Sequence, residues 1–145
     1  MSAFSGMNIS ASGMSAQRLR MDVISQNIAN VKTTRDKNGQ PYRRKAVVFS
    51  ERTTVPFQEI FMKTAGVPSN GVKVTRIVED NETPMNKVYD PSHPDADEDG
   101  YVSYPNVNII QEMTDLIDAT RSYEANVTAF NATKNMALKG LEVGK

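Results

Sequence analysis

The chain has 145 residues, enough for one domain of ordinary size or for a small domain carried on extended helices. It contains no cysteine, which excludes disulfides, thiolate metal sites and cysteine nucleophiles. Its 17 basic and 17 acidic side chains give zero net charge, so the chain as a whole lacks the field of a nucleic-acid-binding or membrane-binding protein. The charges are uneven, however: residues 1–73 carry 11 Lys/Arg against 4 Asp/Glu, and residues 74–145 carry 6 against 13. This asymmetry reflects either chance with local pairing or opposed surfaces that meet in an assembly.

No run of about 18 consecutive apolar residues occurs, so we expect no direct membrane insertion. The first residues, Met1–Met7, have neither the basic region nor the apolar region of a secretory signal peptide. The protein is therefore expected either to remain in the cytoplasm or to leave it by a route that reads another signal.

The N-terminal segment, from about Ser2 to Val31, has an apolar stripe with a seven-residue spacing. The stripe consists of Met7, Met14, Met21 and Ile28, joined by Ala11, Ile24 and Val31 at helical offsets. This pattern predicts a long amphipathic helix. Gly6 and Gly13 weaken that helix by about 1 kcal/mol each relative to Ala, so a partner is needed to order it.

The C-terminal segment has the more regular pattern, because apolar positions alternate spacings of four and three over more than four heptads. The seam comprises Ile109, Met113, Leu116, Thr120, Tyr123, Val127, Phe130, Lys134, Ala137 and Leu141. Pro105 precedes it and Gly140 lies near its end, as expected for the limits of a helix. At 1.5 Å per residue each terminal helix would reach roughly 45–50 Å.

Each stripe taken singly would pack on a domain core, but two long stripes at opposite ends of a short chain most simply bury each other. We therefore predict an α+β protein whose terminal helices pair as an antiparallel coiled-coil-like unit around a small irregular β insert. The predicted divisions are 1–34, 35–105 and 106–145. The residues predicted to hold the helix pair are Met14, Met21, Ile28, Met113, Leu116, Tyr123, Val127 and Phe130.

The insert is predicted to contain short strands separated by long loops. Alternating or β-rich patterns place them at Lys45–Phe49, Val72–Val78, Lys87–Tyr89 and Tyr101–Tyr104. The segment Val55–Val67 is ambiguous between strand and loop.

The acidic run Asp95–Gly100 matches the opening of an EF-hand calcium loop, D-x-D-x-D-G. The twelfth position of such a loop should supply a bidentate Glu, and here it is Asn106. Prolines on both sides also forbid the expected incoming helix. A solvated acidic turn is the favoured interpretation. The alternative function is a soluble calcium- or peptide-binding module that uses this loop and an exposed amphipathic helix.

Nothing in the sequence predicts an enzyme. His93 is the single histidine, and neither a Gly-rich phosphate loop nor a G-x-S-x-G motif occurs. The carboxylate clusters lie in polar stretches, where pKa values would not be driven apart. We expect no cofactor, no metal and no small-molecule substrate. The basic run Arg43–Lys45 is too short for a nucleic-acid site and fits a surface that faces a partner protein.

Asparagines are dense at the helix ends and along the C-terminal helix. Asn is a poor helix-interior residue, and capping would explain Asn30 and Asn106. Capping does not explain Asn27 or Asn126. Amides at an inter-helix surface would fix one alignment through hydrogen bonds.

Several strings resemble bacterial flagellar rod and hook proteins. The N-terminal signature is Ser25–Asn30 with Gly13-Met14 and Arg18-Leu19 before it, and the C-terminal signature runs from Glu112-Met113 to Tyr123–Asn126. The insert is similar to that of the short C-type branch of this family, which builds the proximal rod. The strings that carry this likeness are Tyr42–Lys45, Tyr89–Pro91, His93–Asp97, Gly100–Val102 and Pro105–Asn108. Ser92 departs from the pattern, which has Gly there. Distal rod and hook relatives typically carry a larger insert.

The resemblance implies a structural subunit of the flagellar basal body. Such subunits polymerise with other rod proteins and with copies of themselves into a hollow shaft that transmits torque and forms part of the export channel. They pass the flagellar type III export apparatus as unfolded chains and assemble beyond the cytoplasmic membrane without a cleaved signal peptide. The residues assigned to assembly contacts are Asn27, Asn30, Arg121, Glu124 and Asn126.

Overall fold

The computed structural model describes residues 3–37, 39–52 and 71–143. Within them the chain forms two long helices with four short strands between them, which agrees with the predicted α+β class. The elements are α1 Ala3–Ala29, β1 Lys45–Glu51, β2 Val72–Glu79, β3 Asn86–Tyr89, β4 Tyr101–Tyr104 and α2 Ile109–Val143. All four predicted strands are confirmed, whereas Val55–Val67 lies outside the described residues. Among the described residues, neither helix is long and apolar enough to span a membrane.

The helix ends are set by asparagines. Asn30 follows the last residue of α1, and its side-chain amide donates to the carbonyl of Gln26 at 2.9 Å, as a capping residue should. At the start of α2 the cap is Asn108, whose Oδ1 accepts from the backbone N–H groups of Ile110 (3.0 Å) and Gln111 (3.4 Å). The expectation that Asn106 caps this helix was wrong, because its side chain is engaged elsewhere, as described below.

The strands form two separate two-stranded ladders, β1–β2 and β3–β4. At one end of the first ladder the Arg52 N–H donates to the Gly71 carbonyl, and at the other the Asp80 N–H donates to the Arg44 carbonyl, both at 2.8 Å. These pairings make β1 and β2 antiparallel. In the second ladder, which is also antiparallel, Val88 lies opposite Val102 and Tyr89 opposite Tyr101.

Contacts divide the chain into two compact units, and each contains part of both helices. The first unit comprises residues 1–19, 48–76 and 119–145, and the second comprises 20–47 and 77–118. The division 1–34, 35–105 and 106–145 expected from the sequence remains a prediction.

The first unit buries small side chains. Ala16 and Ala119 are 4% and 0% exposed, and Ser10 is also buried. Small residues let neighbouring backbones approach closely, which the glycines of α1 also permit.

The second unit has a core in which polar groups are as prominent as apolar ones. Val23, Ile24, Val102 and Val107 supply its buried apolar side chains. Asn27 and Glu112 are both 0% exposed in the same unit. Because buried polar groups are costly unless they are hydrogen-bonded, the partners of these two residues determine how the unit is built.

Candidate assembly site

The amide of Asn27 uses all four of its hydrogen-bonding positions. Its Nδ2 donates to the Lys45 carbonyl and to Glu112 Oε2, each at 2.8 Å. Its Oδ1 accepts from the Tyr42 hydroxyl and from the Lys45 N–H, each at 2.9 Å. One buried side chain thus joins the end of α1, the start of β1 and the first turn of α2.

The carboxylate of Glu112 has two kinds of partner. Oε2 accepts from Asn27, and Oε1 accepts from Arg44 Nε at 2.6 Å, a short charge-assisted bond. Arg44 reaches Asp115 Oδ2 at 3.3 Å, and Asp115 Oδ1 accepts from Arg20 at 3.4 Å. The buried carboxylate is therefore compensated by a cation, as a charge removed from water must be.

Tyr42 completes the cluster, because its hydroxyl donates to Asn27 Oδ1. Burial raises the pKa of the Tyr42 hydroxyl above its ordinary value, and the nearby carboxylates of Glu112 and Glu79 raise this pKa further. The phenol is thus held as a neutral hydrogen-bond donor to Asn27.

A second buried amide, Asn106, joins the loop before α2 to Arg44, the residue that precedes β1, and to the turn after β2. Its Oδ1 accepts from the Arg44 N–H at 2.9 Å. Its Nδ2 donates to the carbonyls of Asp80 and Thr83 at 3.0 and 3.2 Å. Thr83 in turn donates through its N–H and hydroxyl to the Asp80 carboxylate, and these bonds lower the pKa of Asp80.

In the first unit, α1 approaches α2 at glycine positions. A Cβ atom added to Gly13 would stand 2.6 Å from Asn126 Oδ1, and one added to Gly6 would stand 3.4 Å from Thr133 Cγ2. The Asn126 amide itself donates to the Ser122 carbonyl at 2.8 Å, which fixes the orientation of its side chain. Bringing polar side chains against glycines gives a close helix approach that larger residues would prevent.

The same unit ties α1 to β2. The Val72 N–H donates to Ser12 Oγ at 3.1 Å, and Ser12 Oγ donates to the Ile9 carbonyl at 2.7 Å. Gly71 precedes Val72 with φ +103°, and a Cβ atom there would collide with Ser12 Oγ. This position therefore requires glycine for both its backbone angle and its space.

The residues predicted to hold a helix pair differ in exposure. Met14, Met21, Ile28, Leu116, Tyr123, Val127 and Phe130 are half-buried, whereas Met113 is 55% exposed. The residues that make the inter-helix contacts described above each come one position before a member of the apolar stripes. They are Gly6, Gly13 and Asn27 on α1, and Glu112, Asn126 and Thr133 on α2. The methionine stripe and Met113 thus lie beside these contacts.

The residues predicted to make assembly contacts also fall into different environments. Asn27 is buried, and Asn126 is half-buried against Gly13. Asn30 is half-buried and accepts from the Thr33 hydroxyl at 3.1 Å. Arg121 and Glu124 are exposed on α2. The last two thus have the surface position that a contact with a neighbour would need.

The acidic loop is built from turns. Asp97 Oδ1 accepts from the N–H groups of Asp99 and Tyr101, and Asp95 pairs with Thr34 and Arg35. Among the residues that the structure describes, no three His, Asp or Glu side chains converge to form a metal site. Two bonds from Ser92 to Asp90 Oδ1 make a closed turn and lower the pKa of Asp90.

Four members of this cluster were not among the site residues predicted from the sequence: Tyr42, Arg44, Glu112 and Asp115. Arg44 was assigned to a surface facing a partner protein, but it binds the chain's own carboxylates. A pattern signal did exist for Glu112: it lies in a helix turn whose apolar neighbours suggest burial, so an acid there needs a cation. Nothing in the sequence identifies which of the basic residues that cation is.

The models of two protein families match the two ends of this chain. "Flagella basal body rod protein" matches residues 7–35, and "Flagellar basal body rod FlgEFG protein C-terminal" matches residues 98–143. The matches cover most of α1 and all of α2, the elements that carry the contacts described above. They define the class as flagellar rod proteins.

Full-length relatives narrow the class. "Flagellar basal-body rod protein FlgC" of Bacillus subtilis (strain 168) is 53% identical, with 100% of both chains covered. The protein of the same name from Borreliella burgdorferi is 43% identical over 99% of this chain and 98% of the relative. That from Escherichia coli O157:H7 is 38% identical over 95% of each. The chain belongs to the flagellar basal-body rod protein FlgC family. It is a structural rod subunit, and the calcium- or peptide-binding alternative finds no support.

Proposed function

We propose that this chain is a subunit of the proximal rod, where it polymerises with other rod proteins and with copies of itself. In this proposal α1 and α2 pair in antiparallel orientation and line a hollow shaft that transmits torque and forms part of the export channel. The proposal assigns no reaction to the chain, since the relatives are named as rod proteins.

The observation that carries the proposal is the numbering of the inter-helix contacts. Gly6 lies by Thr133 and Gly13 by Asn126 in the first unit, while Asn27 bonds to Glu112 in the second. As the first number of each pair rises by seven or fourteen, the second falls by the same amount. A constant sum at heptad spacing is the property of two antiparallel helices that keep one alignment.

The predicted helix-pairing and assembly residues fit this arrangement as flanks of the contact line. Half-buried Met14, Met21 and Phe130 would widen the seam between the two helices. Exposed Arg121 and Glu124 would face neighbouring subunits. Asn27 would serve the assembly indirectly, by fixing the alignment of the helices that neighbours recognise.

Export and localisation form the second part of the proposal. We infer that the chain leaves through the flagellar export apparatus unfolded and without a cleaved signal peptide, and then folds in the basal body. The cysteine-free composition supports passage through a narrow channel, since no cross-link can form in transit. Glycines within α1 also support it, because they lower the helix stability that unfolding must overcome.

A cysteine pair tests the helix alignment directly, since the natural chain has no cysteine to interfere. In the double variant Gly6→Cys with Thr133→Cys, the Cβ atom added at position 6 would lie 3.4 Å from the position of Thr133 Cγ2 and 3.8 Å from that of Oγ1, so the two side chains meet as a disulfide requires. Oxidation should form an intrachain disulfide in the purified protein. It should also form in subunits isolated from assembled basal bodies.

The matched control is Gly6→Cys with Gly140→Cys. Gly140 lies seven residues beyond Thr133 on α2, about 10 Å further along the helix, and has nothing within 4 Å of its added Cβ atom. This pair should stay reduced under the same conditions. Equal oxidation of both pairs, or of neither, would rule out the proposed alignment. Absence of the functional protein from purified basal bodies would rule out the rod assignment.

A further inference from the structure

The β3–β4 ladder of the second unit presents an aromatic pair at the surface. Tyr89 is 65% exposed and Tyr101 is 44% exposed. The two tyrosine rings meet edge to face, with centroids 5.3 Å apart. Tyrosines of this kind are enriched at protein interfaces, where they supply large contact area with few rotatable bonds. We call Tyr89 and Tyr101 the tyrosine knob.

The knob is held in place before any partner arrives. Tyr89 and Tyr101 are cross-strand partners, and the Asp90 N–H donates to the Gly100 carbonyl at 3.0 Å. Gly100 has φ +81°, and an added Cβ atom there would stand 3.0 Å from Tyr89 Cε2. A side chain packed this closely on its own turn has little freedom left to lose on binding.

Acidic groups surround the knob. Asp97, Glu98 and Asp99 are all exposed in the loop that leads into Tyr101. Over the whole second unit there are 8 Lys/Arg against 13 Asp/Glu, a net of −5. A partner surface should therefore be apolar at its centre and basic at its edge.

The first unit carries a groove with this chemistry. The groove has a volume of about 350 Å³, and apolar residues Ala16, Leu19 and Val74 line it. Arg52 and Lys73 also line it, and both are exposed. The described part of the first unit has 7 Lys/Arg against 3 Asp/Glu, a net of +4. The groove thus complements the knob in apolar character and in charge.

We propose that the tyrosine knob of one copy of this chain docks into the Arg52–Lys73 groove of a second copy. The inference rests on the proposed function, because it requires two copies to be neighbours in the rod. A knob on one unit and a groove on the other form a heterologous contact, which builds open helical or ring-like arrays rather than closed pairs. The acidic rim of the knob faces Arg52 and Lys73 in this contact.

Single cysteines in separate copies test the contact in the assembled rod. A strain co-expresses two forms of the chain, one with Lys73→Cys and one with Tyr101→Cys, and its isolated basal bodies are oxidised. We expect a disulfide-linked dimer of about twice 16.0 kDa that contains both forms. Exchanging Lys73→Cys for Lys139→Cys, an exposed α2 position, should reduce the dimer about tenfold or more.

The result that would overturn the proposal is the presence of both forms in the basal body without a cross-link between them. A second experiment introduces a cysteine into a different rod protein. A disulfide between that cysteine and Lys73→Cys would also overturn the proposal. Where either form fails to assemble, Arg52→Cys or Tyr89→Cys replaces it. Incorporation of each form is scored separately, so failure of the contact is distinguished from failure of the rod assignment.

A charge exchange tests the rim. Arg52→Glu with Lys73→Glu should lower the yield of a Ser15→Cys to Tyr89→Cys cross-link about tenfold or more, because like charges then face each other. Adding Glu98→Lys with Asp99→Lys to the copy that bears the knob should restore that yield. A yield that stays unchanged through both steps contradicts the electrostatic part of the contact.

Discussion

Gly13 of α1 and the amide of Asn126 on α2 lie so close that a single methyl group on Gly13 would overlap the amide oxygen. The added Cβ atom would be 2.6 Å from Oδ1, 2.9 Å from Cγ and 3.0 Å from Nδ2. A glycine within a helix normally costs about 1 kcal/mol relative to Ala. Here that cost is offset by an approach that no other residue would permit.

Two glycine substitutions should therefore have opposite signs. Gly13→Ala should lower the free energy of unfolding because the Asn126 amide must leave its place, whereas Gly6→Ala meets only an ordinary contact of 3.4 Å. Gly6→Ala should raise the free energy of unfolding by about 1 kcal/mol. Urea unfolding of both variants measures this. Adding Asn126→Ala to Gly13→Ala should recover the loss; stabilisation by Gly13→Ala alone would contradict the close approach.

Removing the charge of Glu112 should be strongly destabilising. Glu112→Gln keeps the shape of the side chain but removes the carboxylate that lies 2.6 Å from Arg44 Nε, so that Asp115 is the one remaining carboxylate described beside this guanidinium. Breaking a buried ion pair in this way costs about 3–5 kcal/mol. The value here should fall near the lower limit, because Arg44 is 29% exposed.

The control for Glu112→Gln is Lys139→Gln on the same helix, which removes an ion pair with Glu142 whose members are 81% and 67% exposed. That change should alter the free energy of unfolding by about 0.5 kcal/mol or less. Equal effects of the two substitutions would show that burial does not strengthen the Glu112 pair.

Asn27→Ala should leave four groups without their partner: the Tyr42 hydroxyl, Glu112 Oε2, and the Lys45 N–H and carbonyl. Each unsatisfied buried group costs about 1–3 kcal/mol, so the total loss should exceed that of an ordinary cavity. Asn27→Asp should be as damaging, since a carboxylate would face Glu112 and the Lys45 carbonyl. Hydrogen exchange of the Lys45 amide reports the opening; unchanged protection in both variants would refute this role.

Tyr42 should make the protein less stable at high pH. Its pKa is raised above 10.0 by burial and by the Glu112 and Glu79 carboxylates, so the folded state holds the phenol proton more tightly than the unfolded state does. The stabilisation from this proton is complete below about pH 10 and is lost as pH rises through the raised pKa. Tyr42→Phe loses the hydrogen bond to Asn27. It also has no hydroxyl to ionise, so this loss of stability at high pH should not occur in the variant.

The measurement is urea unfolding of both proteins between about pH 8 and pH 12. At the lower limit Tyr42→Phe should be less stable by about 1 kcal/mol. The gap between the two proteins should narrow as pH rises above 10. Parallel curves would mean that the Tyr42 pKa does not differ between the folded and unfolded states.

The long elements of this protein could be predicted because their signals are periodic and extend over many residues. The seam from Ile109 to Leu141 fixed the extent of α2 almost to the residue, and alternation fixed β2. The strands near Tyr89 and Tyr101 were found from β-rich composition alone, and the cross-strand register that pairs these residues was beyond such a signal.

The side of each helix that meets the other was harder to predict, because the apolar residues of the stripe lie one position after the residues that make the contacts. The methionine stripe draws attention to Met14 and Met21, yet the contacts are made by Gly13 and Asn27. Glycine and asparagine carry no hydrophobic signal, although small and amide-bearing residues are what a close, hydrogen-bonded approach requires. The methionine stripe and the series of contact residues thus share a seven-residue spacing and lie next to each other on the helix.

The Asn27–Glu112 bond has a mechanical consequence in a shaft built as proposed. A purely apolar seam can slide by one heptad under shear at little cost, because one methyl-rich ridge resembles the next. A slip of seven residues here would carry Asn27 away from Glu112 and break the buried hydrogen bond between their side chains. In such a shaft the buried polar contact would resist the sliding of one helix along the other while the rod turns.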